Sequence, residues 1–356
     1  MERCTRCLLP RNFPRTLFDE NGVCEYCQKY VPRKLLGKEA LLEVIRKHKQ
    51  PGAHYDCIVA LSGGRDSTYT LYYLVHELGL KAAAYTVDHG YLPQETMENI
   101  QRATSTLQVD HKFYPHDLSL KAAGPMLKAW IHRPDPAMVS TICLGCRFGL
   151  HRAFRETARS YKATLVIGAG EPGSDEYFGA RFFSARSEYP IGKLEILFGF
   201  GGKLLANPRY LMNATIPSLL VKEYLGVFAP WQRQPSDAIK IICMYHYIDW
   251  DEPRIQSTIE RELGWRRYGA SEAPWRADCK LAVLKNQMYL RSMGFMRNDI
   301  LVSALVRAGK LTKAAGLARL EAENRAHPDV VAELCEEVAD IRGDLFARIG
   351  ETETTS

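Results

Sequence analysis

At 356 residues with 46% hydrophobic side chains, the chain is long enough to bury one large core or two modest ones, which excludes disorder as its default state. A net charge of +6 on a chain that is 25% charged falls short of the dense basic footprint of a dedicated nucleic-acid binder, so charge leaves an RNA substrate open without indicating one. There is no run of eighteen apolar residues, and Met1 leads straight into cysteines rather than a charged-then-apolar leader, so a soluble, cytoplasmic protein with no membrane association is expected.

Texture divides the chain into a cysteine-rich head with a connecting helix (1–50), alternating strands and helices (51–250) and a helical C-terminal region (251–356). In the head, Cys4-x-x-Cys7 and Cys24-x-x-Cys27 are separated by sixteen residues and a turn at Glu20-Asn21-Gly22. Two such knuckles joined by a hairpin make a closed tetrahedral site of four thiolates, which suits a structural Zn²⁺. Residues 39–48 have helical periodicity. The apolar run 56–61 reads as a buried parallel strand, 66–78 as a helix, 81–87 as a strand, 95–107 as a helix and 164–167 as a further strand. Such alternation predicts right-handed crossovers and a doubly wound α/β parallel sheet. Residues 199–209, rich in glycine and basic side chains, read as a loop. Leu301, Leu305 and Val306, then Val330, Val331, Leu334 and Val338, recur at helical spacing, and 351–356 is a polar end.

The most informative segment is Ser62-Gly63-Gly64-Arg65-Asp66-Ser67-Thr68, between the first strand and its helix. The glycines admit a phosphate close to the backbone, Ser62, Ser67 and Thr68 supply hydroxyls, and the helix start offers unpaired N–H groups of favourable dipole sign. Arg65 adds positive charge, and Asp66 is assigned to Mg²⁺ or to capping the helix. The segment is not a Walker A loop. It resembles the SGGxDS signature of the PP-loop ATP pyrophosphatases, with arginine at position 65 where most members have lysine. That resemblance implies a HUP-like adenine-nucleotide alpha hydrolase fold, cleavage of ATP to AMP and pyrophosphate, and catalytic roles for Arg65, Asp66 and Glu171. It also implies that Thr86 and Asp88, at the end of the second strand, and Gly168 and Gly170, after a later one, line the nucleotide pocket. Asp175 and Glu176 are further candidates for holding metal or substrate.

Cys143-x-x-Cys146 stands in mid-chain with no second pair, and Cys279 is its available partner. The three read as ligands of a [4Fe–4S] cluster or of a second metal ion, as a persulfide-carrying pair, or as buried inert thiols. Cys143 is expected just before a helix beginning near Phe148. The head, together with Cys143 to Gly149, Gly170-Glu171, Trp275 to Lys280 and Gly294-Phe295, is similar to the N-acetyl sugar amidotransferases of surface-polysaccharide biosynthesis. The resemblance implies replacement of an amide oxygen by ammonia on an N-acetyl sugar or related small molecule. No glutaminase signature is present, so a separate glutaminase would deliver the ammonia. The three cysteines beside the phosphate loop also resemble the iron–sulfur tRNA thiolases, which implies a sulfur donor protein instead. A third reading takes the helix pair around Arg307-Ala308-Gly309-Lys310 as a nucleic-acid module, although such pairs are common packing units.

Overall fold

The structure is a computed structural model, and it describes residues 1–170, 193–219, 239–267 and 278–341. Glu171, Asp175, Glu176, the segment from Trp275 to Ala277 and the polar end lie outside the described residues.

Five parallel strands form one sheet: β1 (Cys57–Ala60), β2 (Ala82–Asp88), β3 (His111–Pro115), β4 (Leu165–Gly168) and β5 (Lys240–Cys243), in the order β3-β2-β1-β4-β5. The register pairs Val59 with Ala84 on one side and with Ile167 on the other. Alternate side chains feed two cores. Val59, Ala84 and Ile167 meet α2 (Lys38–His48), α3 (Arg65–Tyr72), α4 (Gln94–Thr106) and α8 (Glu252–Leu263) on one face. Ile58, Tyr85 and Val166 meet α6 (Leu144–Tyr161) on the other. Burial on both faces is why β1 and β4 read as unbroken apolar runs. Strand order reverses between β1 and β4, and the loop after β1 sits at that switch point, where open α/β sheets leave a crevice.

A third core joins α5 (Leu118–His132), α7 (Lys193–Ala206), α9 (Leu281–Met293) and α12 (Pro328–Ala339). Residues 199–206, read as loop, are the second half of α7. Phe200 and Leu204, one turn apart, pack on this core, and that anchoring outweighs the poor helix propensity of Gly201 and Gly202. The head, with its short helix α1 (Glu25–Gln28), packs through Leu9 and Phe13 on Phe295 and on Ile300 of α10 (Arg297–Arg307), and α11 (Lys313–Glu323) follows. The whole is an α/β sheet of the HUP-like kind with an N-terminal cysteine cluster and a helical C-terminal region. No helix among the described residues is long and apolar enough to cross a membrane.

Candidate functional site

The loop from Ser62 to Gly64 leaves β1 and becomes the N-cap of α3 at Gly64. Gly63 has φ +77°, and a Cβ there would lie 2.7–2.8 Å from Thr96 and Ile100 of α4, so only glycine allows the loop to lie this close to α4. Ser67 Oγ knits the loop together: it accepts from Ser62 N at 3.1 Å, lies 3.0 Å from Ser62 Oγ and donates to Gly64 O at 3.1 Å. Trp265, which the sequence did not single out, donates its indole N–H to Gly63 O at 3.0 Å. Thr68 is buried, and its hydroxyl has no partner among the described residues.

Arg65 and Asp66 do not serve the loop in the expected way. The Arg65 guanidinium is buried, donates to both Asp66 oxygens at 2.8 and 3.2 Å, pairs with Glu252 of α8 and lies 5.2 Å from the Trp250 ring centroid. Trp250 donates a further bond to Asp66 Oδ1 at 3.2 Å, and Arg319 donates to Glu252 at 2.6 and 3.0 Å. Burial pushes Glu252 up, but the bonds from Arg319 and the charge of Arg65 hold it below the usual carboxylate range. Asp66 therefore does not cap α3, and the charge of Arg65 is spent on carboxylates rather than presented to a phosphate. These partners come from remote segments, 184 or more residues along the chain, so the local motif carried no sign of them.

A cavity of about 400 Å³ opens at the carboxyl ends of β1 and β2, with Ser62, Thr86 and His89 on one side and Cys143, Cys146 and Cys279 on the other. Thr86 is also a latch: His111 Nε2 lies 2.8 Å from its hydroxyl, which donates to Leu61 O at 2.6 Å. Asp88 lines a neighbouring cavity of about 710 Å³ with His116 and Arg152, and its Oδ1 accepts from Gly90 N at 3.0 Å. The smaller cavity is the candidate site, because Ser62, at the start of the loop, opens into it. Gly168 ends β4, and Gly170 turns against Cys243; neither lines either of these cavities.

Cys143 is the N-cap of α6, which begins at Leu144, one turn earlier than expected. Lys285 of α9, another residue not singled out, donates to Cys143 Sγ at 3.3 Å. Burial pushes the Cys279 thiol up, reinforced by the neighbouring Cys143 and Asp278. Thus the three cysteines line one cavity, Cys143 and Cys146 from the start of α6 and Cys279 from the segment just before α9. Among the described residues, only the head cysteines form a set whose ligand atoms all lie within 4.8 Å of one another.

In that set, Cys7 and Cys24 sulfurs are 3.6 Å apart and Cys4 and Cys27 sulfurs 3.9 Å apart, all four buried. A zinc tetrahedron with Zn–S near 2.3 Å has edges of ~3.8 Å, so the geometry fits a closed four-thiolate metal site. Hydrogen bonds from Cys24 and Cys7 pull the Cys27 thiol down. Arg307 is buried, donates to Cys7 Sγ at 3.3 Å and lies 5.4 Å from the Tyr26 ring centroid. It faces the thiolates and not solvent, which removes it from any nucleic-acid surface.

No protein-family profile matches the chain. It is 30% identical over 112 residues to an uncharacterized protein of Methanocaldococcus jannaschii, covering 30% of this chain and 40% of that protein. It is 34% identical over 135 residues to a tRNA(Ile)-lysidine synthase of Nitratidesulfovibrio vulgaris, covering 33% of this chain and 36% of the synthase. The chain thus spans about two-fifths or less of the length of these relatives.

Proposed function

We propose that this protein is a PP-loop ATP pyrophosphatase that adenylylates an oxygen of a small acceptor and then replaces that oxygen with ammonia. The observation that carries the reading is the cavity of about 400 Å³ that Ser62 of the loop shares with Cys143, Cys146 and Cys279, a volume within the range of small-ligand pockets. The partial similarity to a tRNA(Ile)-lysidine synthase supports an ATP-dependent transferase of this type. The resemblance of the head and of the Cys143 segment to N-acetyl sugar amidotransferases supports an amide of an N-acetylated sugar as acceptor, with a separate glutaminase as ammonia source.

An amide oxygen is a poor leaving group, and transfer to the α-phosphorus of ATP makes it a good one. The chain supplies alignment and charge complementarity for this step rather than a nucleophile. Loop N–H groups at the start of α3 and the Ser62 hydroxyl hold phosphate oxygens. With Arg65 committed to Asp66 and Glu252, compensating charge comes from the helix start and from Mg²⁺, which neutralises phosphate charge when bound. Zn²⁺ on Cys4, Cys7, Cys24 and Cys27 is structural, since four thiolates leave no open position.

A second reading, sulfur transfer, is favoured by one observation. Cys143 is held at a helix start beside the Lys285 ammonium, two conditions that stabilise a thiolate. A [4Fe–4S] cluster on Cys143, Cys146 and Cys279 belongs to this reading, and binding it would require the three sulfurs to draw together.

Both readings are tested by incubating the protein with ATP, Mg²⁺ and a panel of N-acetylated sugars and sugar nucleotides, supplied either with ¹⁵N-ammonium or with labelled sulfide. AMP and pyrophosphate with ¹⁵N in the product are expected. Label from sulfide selects the second reading, and ADP with phosphate from a converted acceptor overturns both.

A further inference from the structure

Asp278 closes the phosphate loop from the far side. Its Cβ and Cγ each lie 3.7 Å from the point a Cβ on Gly64 would occupy, and its carboxylate lines the cavity that Ser62 opens into. Oδ1 is shut off from solvent and accepts no hydrogen bond from the described residues, the N–H groups of the loop from Ser62 to Gly64 included. Nearby His89 offers no compensating charge, because burial lowers its pKa against the pull of Asp278 and Asp88. No arginine or lysine among the described residues pairs with Asp278.

A carboxylate in this position opposes binding of a polyphosphate, since like charges a few ångströms apart in a half-buried site cost free energy. An unpaired buried carboxylate oxygen is itself costly to keep. Both penalties vanish if a cation sits between the carboxylate and the phosphates. Asp66 is not placed to hold one: its oxygens are taken by Arg65 and Trp250, and it does not line the cavity. We propose that Asp278, rather than Asp66, is the protein ligand for a divalent cation of the Mg²⁺ class that bridges to the nucleotide phosphates. The assignment rests on the nucleotide reading above.

The test measures binding of α,β-methylene ATP to the full chain with and without Mg²⁺, and Mn²⁺ as a spin-active substitute by electron paramagnetic resonance. Wild type is expected to bind the analogue about tenfold tighter with Mg²⁺ and to hold one Mn²⁺ per nucleotide. Asp278→Asn, relieved of the like charge, should bind the analogue tighter than wild type without Mg²⁺ but lose most of the Mg²⁺ enhancement and the bound Mn²⁺ signal, while Asp278→Glu regains part of both. An Asn variant that keeps the enhancement overturns the proposal. One that loses metal-free binding also overturns it, by assigning Asp278 to holding the loop. Wild type that binds no analogue under either condition sinks the nucleotide reading itself, an outcome distinct from both.

Discussion

Gly63 sets the shape of the phosphate loop, and its tolerance is small. Gly63→Ala would put a methyl group within 2.7–2.8 Å of Thr96 and Ile100 and force φ +77° on an L side chain. Overpacking and left-handed backbone together are expected to cost roughly 2–4 kcal/mol, read as a lowered urea midpoint with unchanged slope. His111 is the residue through which pH reaches the sheet edge. Burial lowers its pKa from 6.5 to about 4, so the folded state favours the neutral ring, whose Nε2–H can donate to Thr86. Above pH 6.5 its stabilisation is complete. As pH falls from 6.5 through 4, the unfolded chain takes up the proton first, and stability on the order of 2–3 kcal/mol is lost. His111→Gln should flatten the fall in unfolding free energy between pH 7 and 4.5. A variant as acid-sensitive as wild type would show that another group controls this window.

At the level of elements, strands buried on both faces were legible and the edges were not. β1 and β4 present unbroken apolar runs and β2 a run broken only by Thr86 before its end at Asp88, whereas edge strand β3 carries exposed Lys112 and Phe113, and β5 is only four residues long with exposed Lys240 and Ile241. Edge strands keep polar or irregular sequences because one side lacks a partner, which removes the pattern a reader relies on. α7 was misread because its three glycines hid the Phe200–Leu204 turn that anchors it. The cysteine head was legible because the residues that form its four-sulfur cluster come in two closely spaced C-x-x-C pairs. The candidate site was legible only where its residues are contiguous: the loop from Ser62 to Thr68 announced itself. Trp265, Lys285 and Asp278 reach it from distant segments that no local motif joins to it.

Across the whole molecule, the head and the helical C-terminal region form one packed unit. Arg307 on Cys7, Lys313 on Thr5 O at 2.7 Å and Asn12 on Met293 O at 2.7 Å tie the ends of the chain together. A metal bound by the four head cysteines would therefore stabilise α10 as well as its own knuckles. Purified protein is expected to hold one zinc per chain by mass spectrometry, and a Cys4→Ser, Cys24→Ser double variant should lose it. Amide exchange across Arg297–Arg307 should then accelerate along with that of the head. Exchange confined to the head would show that the two regions are energetically separate. The same clasp governs how the protein is made. Cys7 and Arg307 are 300 residues apart, so at 5–20 residues per second a ribosome needs roughly 15–60 s between them. Throughout that interval the nascent head lacks Phe295 and Ile300, the apolar side chains that Leu9 and Phe13 pack on in the folded chain.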